Sequence, residues 1–171
     1  VTDITFGVQW GSHNTPTKLA PAQTADVSIT MTNTGNFTWP KGGNKPVYLY
    51  YRWFKDGQDM YWSDAKTYLP QDVGPGQVVT LQAKLAGPVS PGNYTLKWDL
   101  RYEGVGWFSA KGSPTLDVSI TPPTYWAKIS TSQGPFPANL GTNQQINVNI
   151  GVNNYGSLTW LKGGASPVYL S

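Results

Sequence analysis

Of the chain's 171 residues, only 12 % are Asp, Glu, Lys or Arg, against about 25 % in an ordinary globular domain. The net charge of +3 comes from scattered lysines with only Arg52 and Arg101 beside them, so no surface tracks phosphates and nucleic acid is not expected as a partner. Without cysteine there is no disulfide framework or thiolate chemistry, and without an apolar run of ~20 residues no membrane span is expected.

Gly and Pro are frequent (19 and 14), apolar segments are short, and no stretch carries helical spacing. The composition reads as all-β with many turns. The first predicted strand alternates Ile4, Phe6 and Val8 with Thr5 and Gly7, and a polar loop, Gly11 to Thr15, follows with the chain's only imidazole, His13. Val27, Ile29 and Met31 then form one apolar face against Ser28, Thr30 and Thr32, ending at the turn Asn33-Thr34-Gly35.

Val47 to Phe54 differs. Val47, Leu49, Tyr51 and Trp53 make an inward face, while Tyr48, Tyr50 and Phe54 make an aromatic stripe on the face that Arg52 marks as outward. Asp56-Gly57 is a strong two-residue hairpin signal. Beyond Gly74-Pro75-Gly76, Val79, Leu81, Ala83 and Leu85 face inward; beyond Ser90-Pro91-Gly92, so do Tyr94, Leu96, Trp98, Leu100 and Tyr102. Tyr94 sits where a tyrosine corner would place it, its OH bonding back to nearby backbone. Leu116, Val118 and Ile120 complete the set after the Gly104-Val105-Gly106 turn, and Thr121-Pro122-Pro123-Thr124 forms a short, stiff boundary. Seven or so short strands without helices predict two antiparallel sheets packed face to face.

The chain also repeats itself. Asp3 to Tyr50 aligns without a gap on Thr124 to Ser171 at an offset of 121, with 16 of 48 pairs identical and ten of 16 between Gly35–Tyr50 and Gly156–Ser171. We therefore expect a complete domain over 1–121 and, over 122–171, the first part of a second copy. That second copy would be incomplete, needing cover for Val148, Ile150, Val152, Val168 and Leu170.

Asn33-Thr34-Gly35 leading to Trp39-Pro40, then Val73-Gly74-Pro75-Gly76-Gln77, then Pro91 to Leu100 (PGNYTLKWDL) carry a resemblance. Most of residues 20 to 120, and again Leu140 to Leu170, resembles the four-tryptophan Ig-like domain family. Where that pattern has a Trp four residues before the Asn-Thr-Gly turn, this chain has Ile29 and, in the repeat, Ile150. The resemblance implies an Ig-like antiparallel β-sandwich in tandem, of the bacterial envelope or secreted kind, acting as a non-catalytic binding, spacer or assembly module.

Catalytic signals are weak. His13 reads as a solvated loop residue, and no Ser sits in a nucleophile elbow. Among carboxylates, Asp99 with Glu103 and the set Asp56, Asp59, Asp64 and Asp72 are the candidate acid pairs. Asp99 lies on an outward face between Lys97 and Arg101, where an exposed cross-strand ion pair is expected, and the other four lie in turns whose spacing misses the twelve-residue calcium loop. No enzyme activity, metal or cofactor is expected. The sequons at Asn36 and Asn93 match about as often as chance provides.

Aromatic residues make up 13 % of the chain. Trp39, Trp53 and Trp98 read as core, whereas Trp10, Trp62, Trp107 and Trp126 lie near turns or strand ends. The stripe of Tyr48, Tyr50 and Phe54, with Tyr169 repeating Tyr48, is the candidate binding or assembly face. Three uses fit it: contact with another protein, stacking on sugar, or cover by the connection Gln58 to Pro70. The expected role is a cell-surface fibre, layer or stalk, a filament-forming structural protein whose partners are other copies of itself or neighbouring repeats. The alternative is a carbohydrate-binding accessory module with polysaccharide as partner. An opening at Val1 without a signal-type stretch is read as a processed or excised segment with an extracellular or cell-surface location.

Overall fold

The computed structural model describes residues 3–62, 66–131, 142, 145 and 149–161. Two antiparallel sheets enclose one core. The first has the order β1-β2-β6, with β1 Val8–His13, β2 Thr24–Asn33 and β6 Val78–Ala86. The second is built on β3 Val47–Lys55 and β7 Tyr94–Tyr102. Its β3 edge carries β4 Gln58–Trp62 and β5 Thr67–Tyr68, and its β7 edge carries β8 Gly106–Trp107 and β9 Leu116–Ile120. No α-helix occurs among the described residues, and no helix is long and apolar enough to cross a membrane.

Period-two alternation fixes both inner faces, because successive side chains leave a strand on opposite sides. Val27, Ile29 and Met31 from β2 and Val79, Leu81, Ala83 and Leu85 from β6 meet Val47, Leu49, Tyr51 and Trp53 from β3. Leu96, Trp98 and Leu100 from β7 and Val118 and Ile120 from β9 close the same cluster. The three tryptophans expected in the core, Trp39, Trp53 and Trp98, are fully enclosed. Indole N–H groups cost free energy if buried without an acceptor; Trp98 Nε1 donates to Thr15 Oγ1 at 3.2 Å and Trp53 Nε1 to Ala86 O at 3.0 Å.

Two turns hold the ends. Asp56 and Gly57 both have positive φ (51° and 79°), the pair of values that a tight hairpin with right-handed strand twist demands. At the tyrosine corner Tyr94 OH donates to Ser90 O at 3.1 Å.

One predicted strand is displaced. Ile4 to Gly7 is not strand, and the chain pairs with β2 only from Val8 onward, so His13 ends β1 rather than lying in a loop. Phe6 still packs against the core, but Ile4 is exposed. The cause is the Asn33-Thr34-Gly35 turn, which occupies the backbone of residues 5 and 7: Thr34 N donates to Gly7 O, Asn36 N to Thr5 O, and a Cβ on Gly35 would lie 2.4 Å from Thr5 O.

Past Pro122 the chain forms β10 Ala127–Thr131 paired with β11 Ile150–Asn154. Strand β11 corresponds to β2 at the offset of 121, but β10 corresponds to β1 at 119: Val8 faces Asn33 in the first pair and Ala127 faces Asn154 in the second. The repeat thus needs a two-residue gap before its matching region. A slip of two preserves which face each side chain occupies, which is why a gapless alignment looks acceptable in sequence. Val148, Val168 and Leu170 lie outside the described residues.

A candidate binding face on the second sheet

The outer side of β3 and β7 is the face singled out by the aromatic stripe. Tyr48, Tyr50 and Phe54 do stand on it, alternating with the buried Leu49, Tyr51 and Trp53. Tyr48 and Tyr50 are only 2 % and 6 % exposed; Phe54 is half-buried. Tyr169 lies outside the described residues.

The cover includes the sheet's own long side chains. Trp107, brought over β7 by the tight β7–β8 connection, lies 5.4 Å from Tyr50 between ring centroids. The guanidinium carbons of Arg52 and Arg101 each lie 4.9 Å from the Trp107 centroid. Arg52 and Lys97 approach Phe54 at 5.4 and 5.3 Å, and Lys66 approaches Tyr48 at 4.8 Å. Cations over ring faces are attracted by the ring quadrupole and also shed apolar surface onto the rings. Tyr68 flanks Tyr48 at 5.8 Å.

Acidic groups complete the lattice. Tyr48 OH donates to Glu103 Oε2 at 2.8 Å, and Lys66 Nζ lies 3.6 Å from the same oxygen. Burial, with the hydrogen bond to Glu103, pushes the Tyr48 phenol up to about 12. The bond from Tyr48 and the nearby Lys66 hold the Glu103 carboxyl below its usual range.

Asp99 departs most from expectation. It is fully buried rather than an exposed partner of Lys97 and Arg101. Its oxygens accept from Ser109 N at 3.3 Å and from Ser109 Oγ, and Arg52 Nη2 lies 3.9 Å away. Lys97 instead pairs with Asp117. Burial raises the Asp99 carboxyl, against the lowering effect of the Ser109 bonds and Arg52. The cause is the segment Gly104–Gly112, which folds back on the face and puts Ser109 over Asp99, a non-local contact that strand alternation does not encode.

The remaining carboxylates do not converge. Asp59 pairs with Arg52 at 3.5 Å, Asp72 accepts the Lys41 N–H at 2.9 Å, and Asp56 occupies the hairpin turn; Asp64 lies outside the described residues. His13 is exposed on the other sheet. Among the described residues no three His, Asp or Glu side chains cluster as a metal site would require.

Sequence reasoning missed Trp107, Glu103, Lys66 and Ser109 as members of this face. For Trp107 a signal existed, namely an aromatic immediately after a Gly-Val-Gly turn; for the others none did.

Residues 12–112, more than half of the chain, match the family model described as the Ig-like domain from next to BRCA1 gene. No curated protein sequence matches the chain. Among solved structures, a CARDB domain from Pyrococcus furiosus is 15 % identical with a TM-score of 0.38, covering 70 % of this chain and 94 % of that one. AvmM, which catalyses macrocyclization in alchivemycin A biosynthesis, is 12 % identical with a TM-score of 0.43, covering 80 % and 92 %. The sporulation control protein Spo0M from Bacillus subtilis is 10 % identical with a TM-score of 0.35, covering 71 % and 50 %.

Proposed function

Since the chain belongs to the family of the Ig-like domain from next to BRCA1 gene, we propose that it is a non-catalytic structural or assembly module, of the four-tryptophan bacterial kind, built of tandem Ig-like repeats at the cell surface. The observation that carries this reading is the recurrence of one turn at a spacing of 121. Asn33 Nδ2 donates to Phe37 O at 2.8 Å and Asn33 Oδ1 accepts from Gly35 N at 3.0 Å; Asn154 does the same with Leu158 O at 2.6 Å and Gly156 N at 3.0 Å. Repetition of a unit is how a stalk or fibre gains length. Around the second turn Tyr125, Ile129, Ile150, Leu158 and Leu161 are exposed, a surface suited to burial against a neighbouring repeat or another copy. Of the carboxylates considered for catalysis, Asp59, Asp72, Asp99 and Glu103 make ion pairs or hydrogen bonds within the sandwich, contacts of the kind a structural module would use them for.

Sedimentation velocity across a concentration series tests the proposal. Self-association that rises with concentration and is lost in the double variant Ile129→Asp, Ile150→Asp supports it. A strictly monomeric species at millimolar concentration sinks it. The second reading, a polysaccharide-binding accessory module, is favoured by the adjacent exposed rings of Tyr125 and Trp126; retention on insoluble chitin, cellulose or peptidoglycan that falls in Trp126→Ala would select it.

A further inference from the structure

The β3–β4 hairpin, the turn before β2 and the segment after β6 leave a cleft of about 400 Å³. Its walls are Trp53, Met60, Ala86, Pro88, Val89 and Tyr94. That volume is within the range of small-molecule pockets, about 300–1,000 Å³.

Several polar groups of the walls already have partners. Trp53 Nε1 donates to Ala86 O, Ala86 N to Tyr51 OH at 3.0 Å, Tyr94 OH to Ser90 O, and Ala22 N to Pro88 O at 2.9 Å. Although β4 and β6 are edge strands, Ala86 N and Ala86 O are already taken, and the Trp53, Met60 and Val89 surfaces favour apolar contact. Met60 and Val89, 52 % and 80 % exposed, stand in the water that an occupant would displace.

One cation stands behind a wall of the cleft, next to Tyr94, without itself lining it. Lys55 Nζ lies 5.6 Å from the centroid of the Tyr94 ring, and it forms no ion pair among the described residues, where the other close lysine pairs are Lys66–Glu103, Lys84–Asp26 and Lys97–Asp117. An occupant that is apolar along its body and anionic at one end satisfies both halves of this arrangement. We propose that the cleft binds a small amphipathic carboxylate, an aliphatic or aromatic acid whose body lies against Trp53, Met60 and Val89 and whose carboxylate pairs with Lys55.

The chain has two methionines, Met31 in the closed core and Met60 at the cleft, so [¹³C]methyl-methionine labelling of the full chain gives a reporter and an internal control. Titration with decanoate should shift the Met60 methyl saturably and leave Met31 in place. Decanol should bind about fivefold more weakly, and Lys55→Ala should bring decanoate to the level of decanol, about the worth of one partly solvated ion pair. Val89→Asp, a change at an exposed site, should abolish the shift while Met31 keeps its native position. The proposal falls if decanoate leaves Met60 unmoved, if decanol and the Lys55→Ala protein bind as well as the acid and the native chain, or if Met31 and Met60 move together.

Discussion

Asn33 and Asn154 make the same turn in unequal surroundings. Asn33 is fully buried and has one bond more, from Nδ2 to Val73 O at 2.8 Å, which ties the turn to the segment that pairs with Trp39; Asn154 is exposed. Removing Asn33 leaves the Phe37 carbonyl and the Gly35 N–H without that partner, while Val73 O keeps its bond from Trp39 N. Such groups cost about 1–3 kcal/mol each when orphaned, and partial relaxation lowers the sum. Asn33→Ala should therefore lower stability by about 2–4 kcal/mol in urea, while Asn154→Ala stays within about 0.5 kcal/mol. Equal effects would show that the turn matters for its local conformation alone.

Trp98 sits at the centre of the second sheet, against Tyr51 at 5.2 Å between ring centroids. Trp98→Ala should cost about 3–5 kcal/mol as a large-to-small change in a packed core. Near-UV circular dichroism should lose its aromatic signal at a correspondingly lower urea midpoint. A cost below about 1 kcal/mol would mean that the two sheets do not share this core.

The pH dependence of stability has opposing parts. Asp99 has a raised carboxyl in the folded protein, so its protonated form is favoured by folding: its contribution is present at pH below the ordinary Asp range and is lost as pH rises through the raised value. Glu103 is lowered, so its contribution is present above the ordinary Glu range and is lost as pH falls through the lowered value. Asp99→Asn should flatten the first trend and Glu103→Gln the second, in urea titrations between pH 3 and 7 (range chosen around the carboxyl values of about 4). If both variants keep the native profile, other groups set it.

At alkaline pH Tyr48 dominates the expectation. Its folded value of about 12 lies above the ordinary 10.0, so the contribution it makes is present below pH 10 and lost as pH rises from 10 to 12. Tyr48→Phe should remove that component of alkaline destabilisation at the cost of the Glu103 bond. An ultraviolet titration in which every tyrosine ionises near its ordinary value would refute the buried phenol.

How much of this was legible in sequence depends on range. The inward faces of Val27–Met31, Val79–Leu85 and Tyr94–Leu100 follow from alternation alone, because a strand's own geometry decides them. The Asp56-Gly57 hairpin and the Tyr94 corner follow from local turn chemistry. Asp99 did not, because its burial depends on a loop returning from Gly104–Gly112 to place Ser109 on it. The stripe of Tyr48, Tyr50 and Phe54 follows from alternation, yet its cover comes from side chains of β7, β8 and the β5 region whose reach no periodicity records. The cleft beside Lys55 is assembled from a hairpin and separate loops, and no spacing in the sequence signals it.

The boundary near Pro122 gives the last prediction. Upstream of it, Thr121 N donates to Thr17 O and Leu19 N to Thr121 O, so residue 121 is still stitched to the sandwich, and Pro122 is buried. Downstream, Lys128 is exposed in a two-stranded ladder whose Ile129 and Ile150 are 60 % and 44 % exposed. Two strands without a closed apolar face are marginal in water, so local opening there should precede opening of the sandwich. Limited trypsin digestion of a dilute sample should cut first after Lys128 and leave a resistant product ending there, with Lys84, Lys97 and Arg101 protected inside their sheets. A first cut within residues 1–121 would place the weak point in the sandwich and overturn the expected division at 121. Dilution matters to the design: if copies cover Ile129 and Ile150, the same site should become resistant as the protein concentration is raised, and Ile129→Asp should keep it sensitive at every concentration.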